Sequence, residues 1–127
     1  MSAIQNKQYK VLLVDDNQQF IDALRFQIVE LLGDRVAVID SAYDGEQALK
    51  AIEAKRYDYI FMDISMPQMD GIEATRIATR SNRDIKIIAL SFHKEFEYLQ
   101  LMLEAGARFY IRKDEVDADT LRKVFEL

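Results

Sequence analysis

The chain has 127 residues, 22 of them acidic and 17 basic, for a formal charge of −5, and 50% of them are hydrophobic. That is the balance of one globular domain with its own core, and it excludes a disordered, collagen-like or coiled-coil chain. With no cysteine and one histidine, disulfides, thiolate metal sites and multi-histidine sites are excluded too, and the acidic balance gives no electrostatic footprint for nucleic acid.

Lys10-Val11-Leu12-Leu13-Val14 is a short apolar run that stops at Asp15-Asp16, and it reads as a buried strand. Phe20, Leu24, Ile28 and Leu31 repeat at helical spacing, with Gly33 as the stop. Val36 to Ile39 reads as a second strand, closed by Asp40-Ser41. Asp44 opens a helix with Gln47 in the capping-box position, and Ala48, Leu49 and Ile52 form its apolar face. Tyr59 to Met62 is a third strand, ending at Asp63. After a loop holding the single proline, Pro67, Asp70 caps another helix, with Glu73 in the box position. Ile85 to Leu90 is a fourth strand ending at Ser91, and a helix from Lys94 to Ala105 stops at Gly106. Phe109 to Ile111 is a fifth strand, followed by Arg112-Lys113, and a last helix runs from Asp117 to Leu127. No apolar run is long enough to span a bilayer, and the first residues lack a signal-peptide core, so a soluble cytoplasmic domain without membrane contact is expected.

Strands alternating with helices predict an α/β domain with a parallel sheet covered on both faces, because the strands are continuous apolar runs. In such sheets ligands bind beyond the carboxyl ends of the strands. Asp15, Asp16, Asp63, Ser91 and Lys113 each follow a strand. Carboxylates about 4 Å apart repel by about 4 kcal/mol at an effective dielectric near 20, so the cluster calls for compensating charge. Lys113 supplies one positive charge, and a hard divalent cation such as Mg²⁺, which takes oxygen ligands and phosphate oxygens, supplies the rest. Carboxylates, Mg²⁺ and a lysine suit phosphoryl transfer, and an aspartate can itself accept the group as an acyl phosphate.

These residues resemble those of a bacterial response-regulator receiver domain over essentially the whole chain, from about Tyr9 to Leu127. The acidic pair Asp15-Asp16 matches, and Asp63-Ile64-Ser65-Met66-Pro67-Gln68-Met69-Asp70-Gly71 fits the form Asp-x-x-Met-Pro-x-Met-Asp-Gly at every specified position. Ser91, Lys113 and the aromatic Tyr110, three residues before that lysine, complete the pattern. The resemblance implies a flavodoxin-like, doubly wound, five-stranded parallel sheet of order 2-1-3-4-5 with five helices, occupying residues 9–127 after an N-terminal extension, 1–8. It implies phosphorylation on Asp63, with Asp63, Lys113 and Ser91 as the catalytic set and Ser91 and Tyr110 as the switch. Mg²⁺ would be held by Asp16, Asp63 and the Ser65 backbone carbonyl, with Asp15 acting largely through water. The donor would be a histidine kinase or a phosphotransfer protein. The chain would catalyse its own phosphorylation and dephosphorylation rather than turn over a metabolite.

The chain departs from the family pattern in two places. Lys113 is followed by Asp114 instead of the frequent proline, a form that resembles regulators with a helix-turn-helix output domain. Ser91 is followed by Phe92 where a small residue is usual, so the ring is expected to narrow access to the phosphoryl site. His93 and Ser65 stand at places that resemble rate-tuning positions, although a solvated His93 at a helix start is the favoured reading. Phe96, Tyr98, Leu99, Met102 and Leu103 crowd one helix, and the surplus beyond the core suggests a homodimer or output-domain contact. The last helical pattern, Leu121, Val124 and Phe125, reaches the end without a stop signal. A longer regulator with a DNA-binding output domain beyond this chain is therefore expected, with a one-domain protein as the alternative. Two rival functions remain: a haloacid-dehalogenase-type phosphohydrolase, which would place Asp-x-Asp after the first strand, and a phosphate-independent pseudo-receiver.

Overall fold

A computed structural model of the chain describes residues 8–66, 69–92 and 96–126. The expected N-terminal extension as far as residue 7, Pro67, His93, Lys94, the side chain of Phe96 and Leu127 lie outside what is described. Strands β1 (Tyr9–Val14), β2 (Val36–Ala42), β3 (Tyr59–Asp63), β4 (Ile87–Ser91) and β5 (Phe109–Arg112) form one sheet in the order β2-β1-β3-β4-β5, with every neighbouring pair parallel. Helices α1 (Gln18–Leu32), α2 (Gly45–Ala54), α3 (Gly71–Ser81), α4 (Phe96–Ala105) and α5 (Ala118–Phe125) follow the strands in turn. This is the flavodoxin-like, doubly wound arrangement that the family resemblance implied, and the periodicities accounted for its parallel sheet covered on both faces.

Successive residues of a strand face opposite sides of the sheet, and both sides here are covered. Val11, Leu13, Tyr59, Phe61, Ile88 and Leu90 pack with Ile21, Leu24 and Ile28 of α1 and Leu121, Val124 and Phe125 of α5. Leu12, Val14, Ile60, Met62, Ile87 and Ala89 pack on the other side with Ala48, Ala74, Ala78, Leu99 and Met102 of α2, α3 and α4. Phe125 meets Tyr59 edge to face at 4.6 Å between ring centroids, and Tyr9 and Phe61 also contact it. In α1 the fully buried stripe is Ile21, Leu24, Ile28 and Leu32, one register step from the repeat that begins at Phe20, and Phe20 and Leu31 sit at its margin.

Strand β2 runs further than its apolar core implies. Asp40, Ser41 and Ala42 continue the pairing with Leu12, Leu13 and Val14 of β1. Polar side chains are tolerated there because each finds a partner. Asp40 accepts hydrogen bonds from Tyr57 Oη at 2.5 Å and Lys55 Nζ at 2.9 Å, while Arg25 of α1 donates to the Ser41 hydroxyl. The Ala42 carbonyl accepts from Asp15 N–H at 3.1 Å and so faces β1. Backbone alternation then turns the Ile39 carbonyl to the open side of the sheet, where the Arg25 guanidinium donates to it at 2.8 Å. At the start of β4, Ile85 is buried but its N–H turns back to the Asn82 carbonyl, so pairing begins only at Ile87.

The helix caps differ in detail from the capping boxes read in the sequence. Asp44 Oδ1 accepts from Gln47 N–H at 2.8 Å, but the Gln47 side chain returns to Tyr43 N–H at 2.9 Å, one residue early. Asp70 Oδ1 accepts from Glu73 N–H at 2.9 Å, while the Glu73 carboxylate pairs with Arg76. The reciprocal box forms at α5 between Asp117 and Thr120. That helix ends at Phe125, where Glu126 adopts φ 61° in the left-handed region. The chain thus does have a stop before Leu127, made without glycine.

Gly71 fixes the loop after β3. Its N–H donates to the Ile64 carbonyl at 2.8 Å, and a Cβ placed on it would lie 2.0 Å from the Asp63 carbonyl oxygen. Backbone meets backbone there, so no side chain can yield. Gly71→Ala is expected to destabilise the domain by about 2–3 kcal/mol, measured by urea denaturation followed by circular dichroism.

Candidate functional site

The sheet register assembles the site. Val14 of β1 pairs with Met62 of β3, so the next residues, Asp15 and Asp63, emerge side by side. Asp63 pairs with Leu90, which puts Ser91 one step further along, and Ser91 pairs with Arg112, which puts Lys113 a step beyond that. The strand ends form a staircase, and the long lysine side chain at its top reaches back down it. Lys113 Nζ lies 2.6 Å from Asp15 Oδ2 and 3.1 Å from Asp63 Oδ1. Asp15, Asp63 and Ser91 are all buried, while Asp16 is exposed at the rim.

Asp15 is oriented by the start of α1. Its Oδ1 accepts from Asn17 N–H at 2.9 Å, and Asn17 Oδ1 in turn caps the helix at Phe20 N–H. Its Oδ2 takes the short contact from the Lys113 ammonium. Burial raises the Asp15 carboxyl above its ordinary range, against the opposing pull of Lys113 and Asn17. Burial, reinforced by the charge of Asp15, pushes Asp63 up to about 7 in spite of Lys113. Burial pulls the Lys113 ammonium down, but the two carboxylates outweigh it and hold the lysine above its usual value.

Carboxylate oxygens of Asp15, Asp16 and Asp63 lie within 4.8 Å of one another. Fully ionised, the three would leave two negative charges after Lys113 is counted. All-oxygen donors with that residual charge fit a hard divalent cation. Ser65 sits exposed two residues after Asp63, and Tyr110, on β5 opposite Ala89, points its ring to solvent with 51% of its surface exposed. The structure therefore brings Asp15, Asp63 and Lys113 into contact, with Asp16 at the rim, and leaves Tyr110 turned away.

Residues 11–126 match the family model of the response regulator receiver domain. The chain belongs to that family. This receiver domain is 34% identical over 118 residues to the transcriptional regulatory protein DegU of Brevibacillus brevis, covering 93% of this chain and 49% of that protein. It is 39% identical over 103 residues to the response regulator UvrY of Escherichia coli O157:H7, covering 81% of this chain and 46% of that protein. The chain thus spans about half the length of the curated relatives it matches. Among solved structures it resembles the receiver domain of the histidine kinase CKI1 from Arabidopsis thaliana complexed with Mg²⁺, with a TM-score of 0.73, 26% identity and 93% of each chain covered. Membership of this family makes the chain a receiver and not a turnover enzyme. Among the described residues no helix is long and apolar enough to cross a membrane.

Two site features escaped the sequence reading. Phe20 places its ring 5.2 Å from the Lys113 ammonium, and its place in the apolar repeat of α1 disguised this. The Asn17 N–H that fixes Asp15 is a backbone group, and residue type carries no sign of it. Phe92 does lie at the site, with its ring 4.9 Å from the same ammonium.

The raised Asp63 carboxyl sets a pH dependence. Without a divalent cation the folded chain keeps that proton up to about pH 7, whereas the unfolded chain releases it near pH 4. Folding stability must therefore fall as pH rises through that window. Asp63→Asn is expected to flatten the fall and to be more stable than the parent by about 2 kcal/mol at pH 8, with little difference at pH 4. Urea denaturation in chelator across this range checks it.

Proposed function

We propose that this receiver domain is a phosphorylation-operated switch with Asp63 as its phosphoacceptor. The observation that carries the reading is the Lys113 ammonium held between the buried carboxylates of Asp15 and Asp63 at the strand ends. A phosphohistidine on a histidine kinase or phosphotransfer protein is the donor. A carboxylate oxygen of Asp63 attacks phosphorus in line; the O–P bond forms as the P–N bond breaks, and the electron pair stays with the imidazole. Lys113 shifts its pairing from the carboxylates to a phosphoryl oxygen. Asp16, Asp63 and the Ser65 backbone carbonyl would hold Mg²⁺, with Asp15 acting through a water. Bound there, Mg²⁺ supplies charge neutralisation at the phosphoryl oxygens. The same residues later direct water to the acyl phosphate and return the carboxylate.

Phosphorylation adds charge and acceptor oxygens at Asp63. Ser91 donates its hydroxyl to one of them and draws its strand end inward. The space it vacates favours an inward Tyr110, which faces solvent in the present state. Coupling of this kind is worth about 1–3 kcal/mol, so both states exist beforehand and the phosphoryl group shifts their populations. The readout lies on α4 and β5, where Tyr98, Leu101, Leu103, Phe109 and Tyr110 are exposed, whereas Leu99 and Met102 of the same crowded helix are core. That apolar face suits a homodimer or a C-terminal DNA-binding output domain outside this chain, and the chain's span of about half its relatives supports the latter. A histidine-kinase donor places the domain in the cytoplasm, where it contacts neither nucleic acid nor membrane directly.

Incubation with acetyl phosphate is expected to add one phosphoryl group by intact mass, only with Mg²⁺ and not in Asp63→Asn. Equal uptake by Asp63→Asn would refute the assignment, and no uptake by the parent would favour a phosphate-independent binding module. The phosphorylated chain is also expected to self-associate in sedimentation velocity, and Tyr98→Ala combined with Leu103→Ala to abolish that association.

A further inference from the structure

The Lys113 ammonium has a second set of neighbours. Phe20, in the first turn of α1, and Phe92, directly after β4, place ring centroids 5.2 and 4.9 Å from Nζ. Both lie within the range of about 6 Å at which a cation is attracted to an aromatic face. The lysine side chain is only 7% exposed even though Phe92, beside it, is 54% exposed. Phe92 therefore spends its apolar surface over a charged group instead of in the core, and neither hydrophobic cluster includes it. Phe20 lies at the margin of the α1–α5 core and completes the arrangement from another element.

We propose that Phe20 and Phe92 are positioning residues for phosphoryl uptake, bracketing the Lys113 ammonium so that it stays dry and directed at Asp63. The inference rests on the phosphoacceptor reading above. A lysine is a strongly hydrated charge on a flexible four-carbon stem. Freed from the rings it would sample more rotamers and gather water, and its field at the attacking carboxylate would be screened. The rings offer the ammonium attraction without offering it a competing anion, so it can leave the carboxylates for a phosphoryl oxygen while remaining in place. A plain steric gate at Phe92 makes the opposite prediction, because removing a gate speeds entry of a small donor.

The test measures initial rates of phosphoryl uptake by the full chain against acetyl phosphate concentration, at fixed Mg²⁺. Phe92→Ala and Phe92→Leu are both expected to lower the maximal rate about five-fold, with the half-saturating donor concentration unchanged. Phe92→Tyr, which keeps the ring, is expected to recover to within about two-fold of the parent. Phe20→Leu, which preserves bulk at the core margin, is expected to fall like Phe92→Leu. Uptake by Phe92→Ala as fast as the parent or faster would overturn the proposal, as would a Phe92→Leu indistinguishable from it, because side-chain volume and not the ring would then suffice. If the parent itself took up no phosphoryl group, the phosphoacceptor reading would fall and this inference with it. Normal uptake by the parent and by every variant would overturn this inference alone.

Discussion

The ion pair of Lys113 with Asp15 and Asp63 is the constraint on which the rest of the site depends. A parallel sheet delivers its strand ends to one crevice whether or not their charges agree, and here three of the side chains delivered there are carboxylates. Lys113 makes that tolerable from the top of the register staircase, with contacts of 2.6 and 3.1 Å. Removing the lysine would cost about 3–5 kcal/mol, because both buried carboxylates would be left uncompensated. Burial nonetheless outweighs that compensation, which is why both buried carboxyls hold protons more tightly than usual. A site left short of positive charge in this way could hold a hard cation.

The energies involved suit a switch. A domain of this size is stable by roughly 5–15 kcal/mol, and a coupling of a few kcal/mol moves a population without threatening the fold. The parts that must hold still are locked by backbone: Gly71 against the Asp63 carbonyl, Ile64 N–H on the Leu90 carbonyl, and Asn17 N–H on Asp15. The side chains proposed to report, Tyr110 and its exposed neighbours on β5 and α4, lie at the surface. The locked strand ends and the proposed readout are thus separated along β4 and β5.

Much of this was legible in the sequence because strand ends are punctuated by charge. Asp15, Asp63 and Ser91 each interrupt an apolar run, Lys113 follows Arg112 at the end of another, and a parallel sheet turns those interruptions into proximity. The same rule misplaced the end of β2, where Asp40 and Ser41 interrupt the run but remain in the strand because Tyr57, Lys55 and Arg25 satisfy them from elsewhere. Distant partners of that kind leave no local mark. The capping boxes expected at Asp44 and Asp70 each form only half of the reciprocal pair, since Gln47 and Glu73 find other partners. The full box at Asp117 uses threonine in place of a glutamate or glutamine. Phe20 has the spacing of a core residue and lies beside a charge, a distinction set by one register step around α1.

The Arg25 guanidinium on the Ile39 carbonyl has a consequence for how copies of this chain can meet. An open sheet has two raw margins, and each is a template on which another chain could zip by backbone pairing. At one margin Arg25 already occupies an outward carbonyl of β2; at the other, β5 is only four residues long. Ribbon-like growth is blunted at both. A self-association of the kind proposed for the α4–β5 face would then rest on contacts between side chains and not on added backbone pairing.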